Sequence, residues 1–365
     1  MSKMVLENKE MLKVKCDALA LLKALIATPS PSKQENKTAC LLQSWLNDKG
    51  VDATLIGNNV CAKNKFFDTY KPSILLVSHH DTVPPSKDYT IDPYTPFIKE
   101  GKLYGLGSND AGGPLVSLLS AFVYFYDEEH LPFNLMFCAA AEEEISGRNG
   151  LELALPFFGE INFAIVGEPT SMALAISEKG LMVCDCIAYG KSGHTARDEG
   201  ENAILKAIKD IQWLTNYKFD KVSPSLGEIK MSATMIEAGI KHNIVPNKCH
   251  FVVDVRTTDA YSNEEVLKIM QQNMQSEVQA RSTRIKPSAT PLNHPVVKAL
   301  LAQGVTTYGS PTTSDQAILS CPSVKFSPGD SARSHTANEF IYIQQINEGI
   351  AFFIDFFSTM RNMKW

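Results

Sequence analysis

Two short segments of this chain carry side chains that bind metal ions, and each directly follows an apolar run typical of a β-strand. His79 and Asp81 follow residues 73–77, and Glu143 and Glu144 follow a second such run. Imidazole and carboxylate groups at the carboxyl ends of neighbouring strands are how an α/β scaffold builds a metal site. The two segments therefore predict hydrolytic metal chemistry.

The spacing within the first segment indicates how its residues could cooperate. His79 and Asp81 lie two residues apart, so on a continuing strand both side chains point to the same face. One can bind a metal while the other accepts the remaining imidazole N–H, which fixes the tautomer of the histidine. His80 then points to the opposite face. The alternative is a polar strand end that meets solvent.

Further acids occupy comparable positions along the chain. Asp110 lies in a glycine-rich loop before an apolar run that begins near Pro114. It either caps the helix that follows or, as a short carboxylate, bridges two metals. Glu143 and Glu144 have two possible roles. They either form a solvated loop with Glu142, or one of them binds metal while the other transfers a proton.

Two more candidate ligands follow strand-like runs later in the chain. Glu168 follows residues 163–166, and His335 lies in a loop after residues 324–326. Each residue taken alone is typical of a solvated loop. Two histidines and three acids are thus candidate ligands, and all five lie at strand ends or in adjoining glycine-rich loops. A random distribution of these residue types along the chain explains this arrangement poorly.

Composition restricts the class of protein. The chain has 365 residues, of which 44% are hydrophobic and 21% charged, so it is long enough for two ordinary globular domains. A net charge of −5 provides no basic field for nucleic acid or an anionic membrane. The eight cysteines form no CxxC pair, and the first 15 residues lack an apolar signal core. We therefore expect a cytoplasmic protein with reduced thiols that binds neither nucleic acid nor membrane.

Helical and strand-like patterns alternate over residues 1–177 and again over residues 289–365. Such alternation predicts an α/β domain with a mostly parallel sheet and helices on both faces. Between these segments, residues 178–288 combine three extended strands with helices near residues 202–215 and 263–279. We expect them to form a smaller inserted α+β domain.

Taken in order, the motifs resemble those of the M20 co-catalytic metallopeptidases, the group of aminoacylase, acetylornithine deacetylase, succinyl-diaminopimelate desuccinylase and bacterial glutamate carboxypeptidase. The resemblance covers nearly the whole chain, and residues 193–204 are most similar to the acetylornithine deacetylase-like members. The matching motifs are His79-His80-Asp81-Thr82-Val83-Pro84, the glycine-rich loop to Asp110, Glu143-Glu144-Ile145, Gly167-Glu168-Pro169-Thr170, Gly193-His194 and His335-Thr336.

The resemblance implies two divalent metal ions, taken as zinc, with cobalt or manganese as alternatives. Asp110 is implied as the ligand that bridges both ions. His79 and Glu168 would complete one site, and Glu144 with His335 the other.

The resemblance also implies the residues that act on the substrate. Glu143 is implied as the general base, and Asp81 as the partner of His79. His194 and Asn243 are implied to reach the active site of the opposite subunit, where His194 polarises the scissile carbonyl. The inserted domain is therefore expected to form a homodimer.

The remaining implied substrate contacts are less specific. Arg256 would bind a substrate carboxylate with two hydrogen bonds, but the sequence equally allows a salt bridge with Asp254 or Asp259. Ser314 and Gly329 are further candidate contacts.

On this resemblance we expect a metal-dependent amidohydrolase that is similar to acetylornithine deacetylase. It would remove an acetyl or succinyl group from N-acylornithine or N-acylcitrulline in arginine biosynthesis. The alternatives are an M20 dipeptidase, a general aminoacylase or a succinyl-diaminopimelate desuccinylase, which share the metal residues. A metal-binding scaffold without catalysis is a remote alternative, because the implied base is present.

The chain departs from the family's pattern at three places. Leu106 stands where relatives often have Arg, residues 110–114 read DAGGP where many have DMKGG, and Glu142 stands where Asp is usual. None of these changes removes an implied ligand or the base. The resemblance also implies a cis peptide bond between Asp110 and Ala111.

Overall fold

The computed structural model of the protein describes residues 3–197 and 199–361. The chain divides into two compact units. The first contains Met1–Ile176, Thr290–Tyr308 and Ser314–Trp365, and the second contains Ser177–Ala289 and Gly309–Thr313. The expected insertion, residues 178–288, therefore lies inside the second unit, which also takes in a short later segment.

The described residues form the following elements in chain order. The helices are α1 Lys3–Ile26, α2 Asn36–Asp48, α3 Gly113–Phe125, α4 Leu151–Phe158, α5 Ala203–Asn216, α6 Asn263–Asn273, α7 Pro295–Ala302 and α8 Ile343–Met360. The strands are β1 Ala53–Ile56, β2 Asn59–Lys63, β3 Ser73–His79, β4 Phe97–Lys99, β5 Lys102–Tyr104, β6 Asn134–Ala140, β7 Phe163–Gly167, β8 Leu174–Glu178, β9 Gly180–Tyr189, β10 Lys230–Ala238, β11 Lys248–Thr257, β12 Glu277–Ala280, β13 Ser288–Ala289, β14 Thr307–Ser310, β15 Ser323–Lys325 and β16 Phe340–Tyr342.

The first unit is built on a large sheet with a parallel centre. Seven of its strands lie side by side in the order β1-β2-β6-β3-β7-β15-β8. Strands β6, β3, β7 and β15 pair in parallel, whereas β1, β2 and β8 pair antiparallel at the two sides. The predicted α/β class with a mostly parallel sheet is confirmed.

The central strands are covered by helices on both faces. Ile74 and Leu76 of β3 join the apolar layer that α1, α3 and α8 cover, while Leu75 and Val77 join the layer beneath α4. Successive residues of a strand point to opposite faces, so a continuously apolar strand requires cover on both. None of the described helices is long and apolar enough to cross a membrane.

The second unit has a four-stranded sheet in the order β10-β11-β9-β12. Alternate residues of β9, among them Cys184 and Cys186, pack with α5 and α6 in one apolar core. Asp210 of α5 is buried and accepts hydrogen bonds from the backbone N–H groups of Gln275 and Ser276. It thereby stabilises the turn that follows α6.

One predicted helix of this unit is wrong in its extent. The apolar spacing predicted a helix over residues 263–279, but α6 ends at Asn273 and Glu277–Ala280 form β12. The backbone becomes extended at Met274, and the next two N–H groups donate to Asp210 instead of continuing the helix. That side chain lies more than 60 residues away in the sequence, so local spacing could not reveal it.

Candidate metal centre

The parallel strands of the first unit bring the candidate ligands to one edge of the sheet. His79 ends β3, and Glu168 directly follows β7. The turn with Glu143 and Glu144 follows β6, and the loop with His335 follows β15. Because β6, β3, β7 and β15 are adjacent and parallel, their carboxyl ends meet at the same edge. Asp110 arrives from the loop before α3.

His79 is the centre of the first group of ligand atoms. Its Nε2 lies 3.3 Å from Asp110 Oδ1, 3.9 Å from Glu168 Oε1 and 3.9 Å from Glu143 Oε2. The ring is 1% exposed, so these acids face an imidazole that solvent does not reach. One ligand atom each from His79, Glu143 and Glu168 lie within 4.8 Å of one another.

His335 is the centre of the second group. Its Nε2 lies 2.9 Å from Glu144 Oε2 and 3.7 Å from Asp110 Oδ2. The two oxygens of Asp110 thus face different histidines. Glu143 and Glu144 are adjacent in a tight 3₁₀ turn, with Glu143 near His79 and Glu144 hydrogen-bonded to His335. Glu144 also offers a ligand atom within 4.8 Å of ligand atoms of His79 and Asp110.

Asp81 is placed differently from the expectation of a continuing strand. β3 ends at His79, and His79 Nδ1 donates to the backbone carbonyl of Asp81 at 2.9 Å, whereas its distance to the carboxylate is 3.5 Å. The carboxylate of Asp81 instead accepts the backbone N–H groups of Glu143 at 3.0 Å and Glu144 at 3.2 Å, and the Ser32 hydroxyl at 2.6 Å. Asp81 therefore fixes the His79 tautomer through its carbonyl and the glutamate turn through its carboxylate.

The crowded acids of the site have raised pKa values. Burial and the charge of Glu168 raise the pKa of Glu143 well above its usual value, against the charge of His79. Burial raises the pKa of Glu168 to about 8, although the charges of His79 and Lys325 oppose this. Without a bound cation, burial and crowding therefore favour the protonated forms of these two acids.

The two histidines also hold their protons strongly. Burial favours the neutral form of His79, but the carboxylates of Asp110 and Asp81 beside its ring nitrogens outweigh it and raise the pKa well above its usual value. The hydrogen bond to Glu144 raises the pKa of His335 to about 9.

The metal-free protein is expected to lose stability as the pH rises from about 5 to about 9. The folded pKa values of Glu143, Glu168, His79 and His335 lie above their unfolded values, so the folded state binds more protons in this window and the free energy of unfolding falls. Thermal unfolding in the presence of a chelator, measured over this pH range, shows how the midpoint temperature changes with pH. A midpoint that stays constant or rises with pH would contradict these shifts.

Sequence analysis did not single out Glu339, which the structure places beneath the site. It is a buried acid that accepts N–H groups from the loop of Asp110. The sequence feature that could have pointed to Glu339 is its position, four residues after His335 and directly before the apolar strand β16. The Asp110–Ala111 peptide bond is cis, as the resemblance implied.

Two of the implied substrate contacts have structural roles in the first unit. Gly329 has φ +96°, and a side chain there would lie 2.9 Å from Pro169 and 3.1 Å from Asn109. A glycine is therefore required where the loops after β7 and β15 meet. Ser314 accepts a hydrogen bond from the N–H of Gln316 and begins a 3₁₀ turn.

The implied residues of the second unit lie on its exposed parts. His194 and Asn243 are exposed, and their segments are joined by a hydrogen bond of 3.3 Å from Thr195 N to the Asn243 carbonyl. Arg256 forms a bidentate salt bridge with Asp254, with distances of 2.8 Å and 3.1 Å. This is one of the two salt bridges that the sequence allowed.

The donor set suits divalent cations. Two imidazoles and several carboxylates converge among the described residues, with no cysteine in these groups, and such nitrogen and oxygen ligands suit zinc, manganese and cobalt. A bound cation would also neutralise the crowded acids whose pKa values are raised. The side chains of the site thus fit the metals that the sequence led us to expect.

Comparison with known proteins identifies the family. The sequence profile of peptidase family M20/M25/M40 matches residues 75–359. The chain belongs to this family. As a member, it is a metal-dependent hydrolase of amide bonds, which confirms the predicted family and reaction class.

Individual relatives are similar over most of their length. A [LysW]-lysine/[LysW]-ornithine hydrolase of Sulfurisphaera tokodaii is 27% identical over 89% of this chain and 90% of its own. An acetylornithine deacetylase of Myxococcus xanthus is 26% identical over 83% of each chain.

Solved structures share the fold. A metallo-carboxypeptidase of the M20 family from Sulfolobus solfataricus superposes with a TM-score of 0.76 at 18% identity, over 95% of this chain and 99% of that one. A dinuclear metal binding peptidase of the same family from Bacillus subtilis gives 0.74 at 14% identity, over 96% and 99%.

Proposed function

We propose that this protein removes an acetyl or succinyl group from a small N-acyl amino acid, using two divalent ions. The ligands would be His79, Asp110, Glu144, Glu168 and His335, and the ions zinc, with cobalt or manganese as alternatives. The observation that carries the proposal is the position of Asp110, whose oxygens lie 3.3 Å from His79 Nε2 and 3.7 Å from His335 Nε2. A carboxylate between two histidines can serve two cations at once.

The residues around this site supply the proton transfers. Divalent ions bound there would polarise the amide carbonyl and lower the pKa of a water molecule. Glu143 lies 3.9 Å from His79 Nε2, at the edge of the proposed metal site, where its carboxylate can accept a proton and return it. Glu143 takes the proton of the attacking water and delivers it to the departing amine. Asp81 holds the backbone of Glu143 in place.

We assign the oxyanion contact to His194. Its Nδ1 accepts the N–H of Ala196 at 3.1 Å, so the neutral ring carries its proton on Nε2. An exposed Nε2–H can donate to the oxygen on which negative charge develops. The substrate contacts that we propose are Asn243, Arg256, Ser314 and Gly329.

We propose a homodimer formed through the edge strand β10. This strand is mostly exposed and presents Met235 and Ile236, which are 65% and 56% exposed. A long edge strand with exposed apolar residues is suited to pair with a second copy. His194 would then act in the active site of the partner subunit. Sedimentation equilibrium measures the mass of the active enzyme, and a monomer with full activity would exclude this role.

The relatives support an ornithine-type substrate. Their names describe one as an acetylornithine deacetylase and another as acting on a lysine or an ornithine conjugate. We therefore propose N-acylornithine or N-acylcitrulline as the substrate, in arginine biosynthesis. We place the enzyme in the cytoplasm, because its eight cysteines are free thiols, as expected in a reducing compartment.

A substrate panel tests this assignment. The release of free amine would be measured from N-acetylornithine, N-succinylornithine, N-acetylcitrulline, N-succinyl-diaminopimelate and several dipeptides. We expect the highest kcat/KM for an N-acylornithine or an N-acylcitrulline. A preference for dipeptides would indicate a dipeptidase, and metal binding without hydrolysis of any compound would indicate a scaffold.

A further inference from the structure

Glu339 is a buried acid whose carboxylate binds one loop at three points. It is 2% exposed. Its Oε2 accepts the N–H of Gly107 at 3.0 Å, and its Oε1 accepts the N–H groups of Asn109 at 2.7 Å and Asp110 at 2.9 Å. Its backbone carbonyl accepts the N–H of Gly105 at 3.0 Å. One residue thus holds the loop that carries Asp110.

The loop needs these acceptors because its backbone is irregular. Gly107 has φ +76°, in the left-handed region, and Asp110 has φ −119° and ψ 97°, outside the helical region. In this conformation the N–H groups of Gly107, Asn109 and Asp110 turn toward Glu339. Buried N–H groups require acceptors, and a carboxylate is a strong one.

Glu339 belongs to the segment that also carries His335, four residues earlier. The loops of Asp110 and His335 are tied a second time through Asn109, whose side chain exchanges hydrogen bonds of 2.9 Å and 3.1 Å with the backbone of Asp330. These contacts set the distance between Asp110 and His335, which face each other at 3.7 Å.

We propose that Glu339 is a positioning residue that holds Asp110 in place between the two histidines, and that it thereby sets the affinity for the divalent ions. The proposal rests on the proposed two-metal function. The Glu339 carboxylate contacts backbone N–H groups of the loop, so it would act on the bound ions through the position of Asp110.

The substitution Glu339→Gln tests the proposal. It keeps the shape of the side chain but replaces one acceptor oxygen with an NH₂ group, which then faces a backbone N–H of the loop. We expect metal affinity to fall by about 10–100-fold, as for other residues that orient ligands. In limiting metal kcat should fall in parallel, added metal should restore it, and KM should stay unchanged.

The matched control is Asp210→Asn in the second unit. Asp210 is buried like Glu339, and its carboxylate likewise accepts three hydrogen bonds, from two backbone N–H groups and one hydroxyl. Both variants should unfold at a lower temperature, but only Glu339→Gln should bind metal more weakly in calorimetric titration. Should Glu339→Gln fail to fold, Glu339→Asp, which keeps both oxygens but is one methylene shorter, should weaken metal binding in the same direction.

The outcomes separate this proposal from the proposed function. If the wild-type protein binds divalent ions and a folded Glu339 variant binds them with the same affinity, the proposed role of Glu339 is overturned. If Asp210→Asn lost as much metal affinity as Glu339→Gln, the effect of Glu339 would be one of general protein stability. That result would also overturn the proposal. A wild-type protein that binds no divalent ion would instead refute the proposed function.

Discussion

Replacing Glu143 with Gln is expected to lower kcat by about 10²–10⁴-fold, the usual contribution of a general base. The amide keeps the size of the side chain but cannot accept the proton of the attacking water. KM should change little, because the substitution removes proton transfer and not substrate binding. Steady-state kinetics on the best substrate of the panel measures both parameters.

Two further observations make this test specific. The content of divalent ions should remain that of the wild type, because Glu143 is not among the proposed ligands. Glu152→Gln in α4 makes the same chemical change outside the site and should leave kcat unchanged. A Glu143→Gln enzyme with wild-type kcat would show that another group transfers the proton.

Replacing Asp110 with Asn is expected to remove at least one divalent ion and most of the activity. The amide offers one oxygen where the carboxylate offers two, so its NH₂ group would face either His79 or His335. Residues that only orient ligands contribute 10–100-fold to metal affinity, so a bridging ligand should contribute more than about 100-fold. Isothermal titration with zinc would measure the loss.

A distant aspartate provides the control for this substitution. Asp355→Asn makes the same chemical change at an exposed position of α8, outside the site. It should retain the metal affinity of the wild type. Equal metal affinity in Asp110→Asn and the wild type would mean that Asp110 bridges no ions.

The central sheet could be predicted because its signal is local. The strands β3, β6 and β7 are short, continuously apolar runs, and a parallel sheet buried on both faces needs that pattern. His79, Glu144 and Glu168 could be singled out for the same reason, because they end or closely follow those strands, whereas Asp110 and His335 lie in loops and were singled out by the motifs around them. The small sheet of β4, β5 and β16 was not predicted, since its strands are three residues long and carry too short a pattern.

The contacts that hold the ligands could not be predicted from the sequence. The carboxylate of Glu339 meets N–H groups about 230 residues away, and Asp81 meets those of the glutamate turn about 60 residues away. Both act on backbone N–H groups, which every residue type except proline carries, so no side-chain pattern marks the partner. Strand ends indicate where ligands gather, and only the folded structure identifies the acids that fix them.

The most direct test of the two-metal site is anomalous diffraction from crystals of the zinc-loaded protein. The proposal predicts two peaks beside Asp110, one next to His79 and Glu168 and the other next to Glu144 and His335. The absence of peaks among these five side chains, or peaks located elsewhere in the molecule, would contradict it.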